Sequence, residues 1–300
     1  MSAPPIVLAT DFGLADAYVG MMRGVIFSIN PHVAVIDLTH GIAPQDVRHG
    51  AVALADATPY FTDGTIFVAV VDPGVGTDRP AILLETPQQR FVAPDNGLLT
   101  LVCRRYESGF GDTDTTGPAG LPDGCRAWRL TNSMYWRHPV SATFHGRDVF
   151  APTAAHLSTG VSPDTLGDPA AEITALALPV PRPEGNAVRG HIVFADAFGN
   201  LVSNITADIL ADIGVIGREA DASVNIAGRE IAGLSRTFHD PPGGGLKALL
   251  GSHGRLEVAL VDGSAAAALG VGSGEAVTVS IPRSEPPVQV CSAKGIPEDR

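Results

Sequence analysis

Three features of the sequence predict an α/β N-terminal domain, with a mostly parallel sheet between helices, followed by a smaller all-β C-terminal domain. Three short apolar runs in the first quarter of the chain each end on an aspartate. Helical periodicity fills the gaps between them. Beyond a proline-rich stretch near residue 180, the texture changes to short alternating runs separated by turn residues.

The apolar runs are Pro5–Asp11, His32–Asp37 and Thr65–Asp72. They are short and rich in β-branched residues, the pattern of strands buried on both faces of a parallel sheet. A carboxylate where such a strand ends sits at the rim of the sheet, where open α/β sheets bind ligands. Between the first two runs, Tyr18, Met22, Val25, Ile26 and Ile29 recur at helical spacing and predict an amphipathic crossover helix. Pro44 opens a second helix, as proline can in a first turn, with Val47, Ala51, Leu54 and Ala55 on its inner face. Strand, helix, strand, helix, strand gives parallel units with right-handed crossovers. Gly97–Tyr106 and Ala151–Thr159 form further helices, the latter closed by Gly160. Ser108–Asp123, rich in Gly, Asp, Thr and Pro and without periodicity, forms a surface loop.

Pro179, Pro181 and Pro183 mark an interdomain linker. The expected division is therefore a domain over 1–178, a linker over 179–187, a second domain over 188–283 and a tail over 284–300. In the second domain His191–Phe194, Leu201–Ile205, Ala222–Ile226, Leu256–Val261 and Ala276–Ile281 are strands of a small antiparallel sandwich or barrel. Gly243–Gly245 is a flexible loop. Ser284–Arg300 lacks periodicity and reads as a loose tail.

Composition narrows the class of function. At 300 residues, 45% hydrophobic and 17% charged, the chain has material for two packed cores. A net charge of −12 argues against nucleic acid, which needs a basic face. The Met1–Pro5 start has no basic stretch followed by an apolar core, so no signal peptide is expected. No apolar run is long enough for a bilayer, so no membrane partner is expected. Cys103, Cys125 and Cys291 are odd in number and widely spaced. They form neither a zinc pattern nor a disulfide framework, and a reducing cytoplasm is the expected compartment.

Four segments are dense in chemistry. In Val71–Arg79 a buried strand delivers Asp72 to the rim, Pro73 and Gly74 turn the chain, and Arg79 is far enough along to fold back on Asp72. The alternative is a structural Asp–Arg pair at an ordinary turn, and spacing alone does not separate the two. The Gly-x-Gly of this segment lacks the third glycine and following helix of a dinucleotide fingerprint. Ser141–Asp148 places His145 beside a glycine, an aromatic ring and charges at the start of a helix, or else forms a surface turn. Asp196–Asn200 and Gly251–Gly254 read by default as hairpin turns.

Taken together with Ala9–Gly13 and Ala93–Leu99, these segments resemble one family over residues 6 to 281. It comprises the S-adenosyl-L-methionine hydrolases that transfer hydroxide to the adenosyl group, relatives of the fluorinases and chlorinases. The resemblance implies an α/β N-terminal domain and a barrel-like C-terminal domain. It also implies a homotrimer with each site between the N-terminal domain of one subunit and the C-terminal domain of the next. The family's water-handling Asp, Arg and His fall on Asp72, Arg79 and His145. Asp11 falls on the carboxylate that holds the ribose hydroxyls. Asp196 and Ser252 fall on groups for the methionine amine and carboxylate, and Asn200 and Phe238 on positions that contact adenine. Asn96 and Phe144 lie inside matched motifs and join the expected substrate-binding set. The halogenases carry tyrosine where Asp72 stands, and the fluorinase has tyrosine at His145 and serine at Gly146. The implied activity is hydrolysis of S-adenosyl-L-methionine to adenosine and L-methionine, with no cofactor and no metal. Three alternatives stand beside it: a halogenase, a non-catalytic adenosine-binding protein, and a metal-dependent hydrolase using Asp11, Asp37, His40 and His145.

Overall fold

The structure, a computed structural model, describes residues 3–112, 115–240 and 243–282. The expected tail over 284–300, with Cys291, lies outside the described residues. The chain divides into two compact units, Met1–Leu178 and Pro179–Arg300.

The first unit contains, in order, β1 (Ile6–Thr10), α1 (Tyr18–Ile29), β2 (Val35–Thr39), α2 (Val47–Ala57), β3 (Ile66–Val70), β4 (Ala81–Glu85), β5 (Arg90–Pro94), α3 (Thr100–Cys103), β6 (Gly117–Gly120), β7 (Arg126–Arg129), α4 (Ala151–Ser158), β8 (Asp168–Ala170) and β9 (Glu172–Ala175). Its main sheet runs β2-β1-β3-β5-β4-β7-β8. The sheet is parallel from β2 to β5 and antiparallel from there to β8.

Alternation along the strands builds two cores from one sheet. Ile6, Leu8, Ile66 and Val68 pack with Met22 and Ile26 of α1 and with Ala151 and Ala154 of α4. The residues between them, Val7, Ala9, Phe67 and Ala69, pack with Leu54 of α2 and Val102 of α3. Side chains of a strand point alternately to opposite faces, so covering both faces demands an unbroken apolar run. Truncating one of these fully buried aliphatic residues to alanine costs about 2–5 kcal/mol. β1 and β3 run level, from Ile6 opposite Ile66 to Thr10 opposite Val70. Asp11 and Asp72 therefore leave the sheet at the same carboxyl edge, where the Asp95–Asn96 turn after β5 also emerges.

Several expectations need correction. β2 is not buried on both faces: it pairs with β1 at the end of the sheet order, Ile36 is 41% exposed, and Asp37 lies within the strand rather than at its end. Strand order puts it there, and an edge position is not written in the run itself. The second helix opens at Asp46, whose carboxylate accepts the His49 amide at 2.9 Å, rather than at Pro44. A side-chain cap satisfies an orphan amide there, which proline does not. The helix expected over 97–106 is regular only over Thr100–Cys103. The stretch expected as a loop over 108–123 contains β6, paired antiparallel with β9.

The second unit contains β10 (Arg182–Glu184), β11 (Ala187–Ala195), β12 (Leu201–Thr206), α5 (Ala207–Asp212), β13 (Ser223–Ile226), β14 (Arg229–Ala232), β15 (Leu246–Leu250), β16 (Arg255–Leu260), α6 (Ala265–Leu269) and β17 (Ala276–Ser280). The antiparallel order is β14-β13-β17-β11-β12-β16-β15, with β10 also on β11. The Ser235 amide donates to the Ala248 carbonyl at 2.7 Å, bringing the segment after β14 onto β15. The sheet thus curls almost closed around Val188, Leu201, Ile205, Val224, Val258 and Val277, the barrel of the two expected forms. The linker stretch 179–187 contributes β10, so part of it is hairpin rather than free connection.

Candidate active site

The carboxyl edge of β3 carries the densest chemistry. Val71 follows the strand, Asp72 comes next, and the chain turns through Gly74 and Thr77, whose hydroxyl donates to the Gly74 carbonyl at 2.6 Å. This turn folds Arg79 back on Asp72. The guanidinium grips the carboxylate with two parallel bonds, Nε to Oδ1 at 3.0 Å and Nη2 to Oδ2. Both side chains are almost wholly buried. The guanidinium also donates to the Pro80 carbonyl and lies 5.6 Å from the centre of the Phe150 ring. A planar fork on a carboxylate is the strong, oriented form of this pair.

Asn96 anchors the same turn from β5. Its Nδ2 donates to the Val71 carbonyl at 2.8 Å, and its Oδ1 accepts the Leu98 amide at 3.2 Å. In the structure its amide therefore holds backbone beside Asp72. Asp95, its neighbour, donates its amide to the Pro80 carbonyl at 2.9 Å, which ties β5 to the residue after Arg79.

His145 reaches this pair from a different loop. It precedes a π-helical turn over Gly146–Phe150, a feature that recurs at functional sites. Asp148, with 0% exposure, organises the loop. Its carboxylate accepts the Ser141 amide at 2.9 Å and both forks of Arg147 at 2.7 and 2.8 Å. Burial opposes ionisation of Asp148, but the Arg147 and Ser141 bonds prevail and hold its carboxyl below the usual range. Phe144 packs its ring against Tyr18 at 5.1 Å and Phe12 at 5.8 Å, with the Arg147 guanidinium above it. Phe144 is buried in this cluster. A Cβ on Gly146 would press on Phe12 and Phe144 at 3.2 Å, so the helix start is close-packed on the aromatic group.

Gly76 joins the two loops. Its φ of +79° favours glycine, and a Cβ there would collide with the Ala142 carbonyl oxygen. This close approach brings His145 within electrostatic reach of both Asp72 and Arg79. Burial lowers the His145 pKa, and the Arg79 charge lowers it further. The Asp72 and Asp148 charges oppose this, but burial and Arg79 prevail and favour the neutral imidazole, the form that can accept a proton. Burial pushes the Asp72 carboxyl up, opposed by the adjacent Arg79 charge.

Asp11 stands at the same edge. Its Oδ2 accepts the Gln45 amide at 2.7 Å and supports Gln45 in a left-handed conformation at φ 63°. Of the groups considered for a metal, Asp37 and His40 meet each other, His40 Nε2 lying 3.3 Å from Asp37 Oδ1. Arg23 binds Asp37 at 2.9 Å, and the buried His40 ring holds the Thr10 hydroxyl at 2.8 Å.

The remaining expected residues gather in the second unit. Asp196, Asn200, Phe238 and Ser252 line one open pocket of ≈ 900 Å³. Asp196 and Asn200 belong to the hairpin between β11 and β12, and Ser252 to the one between β15 and β16. Asp196 Oδ1 accepts the Phe198 and Asn200 amides at 2.9 and 2.8 Å, and its Oδ2 accepts Asn200 Nδ2 at 2.8 Å. The turn reading and the site reading of this segment thus share one carboxylate. The expected set omits Gly76, whose part in the motif is visible only once the loops meet. It also omits Glu257, a buried carboxylate at the pocket wall. An acid inside the apolar run Leu256–Leu260 is the one sequence signal that marks it.

Comparison with known proteins fits this arrangement. Residues 6–167 match the model of the SAM hydroxide adenosyltransferase N-terminal domain, and residues 190–278 match that of its C-terminal domain. The (R)-S-adenosyl-L-methionine hydrolase of Thermus thermophilus is 39% identical over 270 residues, 90% of this chain and 97% of that one. The protein of the same name from Salinispora arenicola is 40% identical over 282 residues, covering 93% and 98%. A fluorinase from Actinoplanes is more distant, at 26% identity over 71% of this chain and 75% of its own. The crystal structure of an uncharacterized conserved protein from Thermotoga maritima superposes with a TM-score of 0.80 at 34% identity, covering 92% of this chain and 99% of that one. With both domain models matched in order and relatives near 40% identity over almost the whole length, the chain belongs to the SAM hydroxide adenosyltransferase family.

Proposed function

We propose that the protein hydrolyses S-adenosyl-L-methionine to adenosine and L-methionine, and that Asp72, Arg79 and His145 handle the water. The observation that carries this reading is the buried Asp72–Arg79 fork with the His145 imidazole in its field. The substrate is a sulfonium whose leaving group departs as a neutral thioether, so no acid is needed at sulfur. The difficult partner is water. Its oxygen bonds to C5′ of the ribose, the C5′–S bond breaks with its electron pair to sulfur, and the water proton passes to His145. Positioned bases of this kind contribute roughly 10²–10⁴-fold. Arg79 steadies hydroxide-like charge, held in orientation by Asp72. In-line alignment of water and sulfur supplies as much as about 7–11 kcal/mol.

Asp11 takes the ribose hydroxyls in this reading. Asp196 and Ser252 take the methionine head, and Asn200 and Phe238 the adenine. Asn96 keeps the Asp72 turn in place, and Phe144 keeps His145 in place, each serving the substrate through its neighbours. The names of the relatives specify the R configuration at sulfur, and we carry that configuration to the substrate of this chain. Asp72 disfavours the halogenase alternative, because a buried carboxylate repels a halide.

The assembly belongs to the same proposal: a homotrimer, each site pairing the first unit of one subunit with the second unit of the next. Its support is the location of the two residue sets in different units and the exposed apolar side chains Leu14, Met21, Phe27 and Ile36 on the first unit. A cytoplasmic location is supported by the free buried thiols Cys103 and Cys125, the latter raised to about 11 by burial.

Incubation of the purified protein with each sulfur epimer, followed by chromatography, is expected to give adenosine and methionine, faster from the R epimer. No adenosine from either epimer overturns the reading. A 5′-halo-nucleoside formed on adding chloride would replace it with the halogenase.

A further inference from the structure

We propose that His40 is a positioning residue for the site: it fixes the bend Thr10–Gly13 from both ends, and through that bend it aims the Asp11 carboxylate. This deepens the function proposed above and rests on it for the ribose that Asp11 meets.

His40 reaches this bend because the pairing of β2 with β1 slips. Leu8 stands opposite Asp37, but Ala9 stands opposite Thr39, so Leu38 is an extra residue on β2. Irregularities of this kind re-aim side chains beside active sites. Here the slip brings His40, the residue after Thr39, level with Thr10 at the end of β1. His40 Nδ1 lies 2.8 Å from the Thr10 hydroxyl oxygen, and both side chains are buried. A buried imidazole is costly unless it is bonded. The bond this one makes falls on the hydroxyl that shapes the bend.

Thr10 Oγ1 accepts the Phe12 amide at 3.2 Å, a local side-chain turn. The His40 carbonyl accepts the Gly13 amide at 2.8 Å, and Gly13 closes the bend in the left-handed region at φ +66°. Asp11 lies between these two anchors, with its Oδ2 on the Gln45 amide at 2.7 Å. Behind the imidazole, Nε2 is buried 3.3 Å from Asp37 Oδ1, with no hydrogen bond among the described residues, and Arg23 holds the other Asp37 oxygen at 2.9 Å. A carboxylate only accepts, so the ring proton belongs on Nε2, in the field of Asp37. Nδ1 is then left to accept the Thr10 hydroxyl proton, which turns the lone pairs of Oγ1 toward the Phe12 amide. The side chain of His40 thus sets one end of the bend and its backbone the other.

Titration calorimetry with adenosine and 2′,3′-dideoxyadenosine tests this, since the second nucleoside lacks the hydroxyls that Asp11 takes. The parent protein is expected to prefer adenosine by about 10–100-fold, the range for bonds to a charged group. His40→Leu removes the acceptor and keeps an apolar side chain in its place, and Thr10→Val removes the hydroxyl from the other side of the same bond. In each, the preference is expected to fall below about fivefold, through weaker binding of adenosine. His40→Asn returns an acceptor to the position of Nδ1, and the preference is expected to recover to above about tenfold. A histidine that only supported the fold would weaken both nucleosides equally. The proposal is overturned if the parent protein binds neither nucleoside or shows no preference, if the preference is unchanged in either His40→Leu or Thr10→Val as a folded protein, or if His40→Asn behaves like His40→Leu. Thr10→Val decides alone should His40→Leu not fold. Adenosine formation from S-adenosyl-L-methionine by the parent protein is measured alongside. Its absence with the binding pattern intact removes the hydrolase reading and leaves His40 assigned to the bend, whereas its presence with an unchanged preference removes only the His40 assignment.

Discussion

The two units position reactive groups by different means. In the first, Asp72 and Asp11 are delivered by strands whose register is locked through two cores, and hydrogen bonds to backbone hold the turns beyond the strand ends. In the second, Asp196 and Ser252 sit on hairpin tips, and Asp196 is already committed to its own turn. A strand end in a two-sided core fixes a group tightly enough for chemistry. A hairpin tip presents groups that can adjust to a ligand. In the proposed roles, bond making and the ribose hydroxyls fall to the first unit, and the amino-acid head and adenine to the second.

Substitutions can break that division. The largest effect is expected at His145→Ala, where adenosine formation should fall roughly 10²–10⁴-fold with little change in KM. Steady-state kinetics that show a KM defect instead would move His145 into the binding set. Next is Arg79→Ala. Loss of its charge should lower kcat by about 10²–10³-fold, and thermal unfolding should show about 3–5 kcal/mol of destabilisation, because Asp72 is left buried and alone. Gly76→Ala touches no ligand, yet it forces apart the loops that carry Asp72 and His145. A displacement near 1 Å can cost about 10²-fold, and an unaltered rate would show that the Ala142 contact is irrelevant to the site. Asp196→Asn should give the smallest change, a KM rise of about tenfold with kcat preserved. Equal damage to kcat at Asp196 and at His145 would dissolve the contrast between the units.

The pH profile sharpens the same point. His145 must be unprotonated to accept the proton, and its pKa is lowered from the ordinary 6.5 by burial and by Arg79. The acid limb of kcat should therefore lie below pH 6.5, with the rate lost as pH falls through the lowered value. Replacing Arg79 removes a lowering influence, so the limb should move toward higher pH in the residual activity of Arg79→Ala.

Much of the first unit was legible because physics forces its pattern. Residues Ile6 to Thr10 and Ile66 to Val70 must be apolar at almost every position when both faces are covered. β2 carries a similar run yet lies at an edge, since strand order arises from how the crossovers wrap and not from any one segment. β6 was illegible for the opposite reason. Its Gly117-Pro118-Ala119-Gly120 sequence has no strand propensity, and it pairs because β9 lies alongside. In the site, Asp72, Arg79 and His145 were visible as residues in motifs. The role of Gly76 depends on the Ala142 carbonyl that stands opposite it in space, and that is set by the meeting of segments far apart in the chain.

The level pairing of β1 with β3 has a consequence for which changes of length this chain tolerates. Because Thr10 and Val70 finish side by side, the sheet edge acts as a fixed ruler for every group beyond it. Deleting one residue from β3 would exchange its two sets of side chains between the cores and draw Asp72 back by about 3.3 Å. An insertion or deletion is therefore far less damaging beyond the strand ends than within β3, where it would move the carboxylate and swap the cores together.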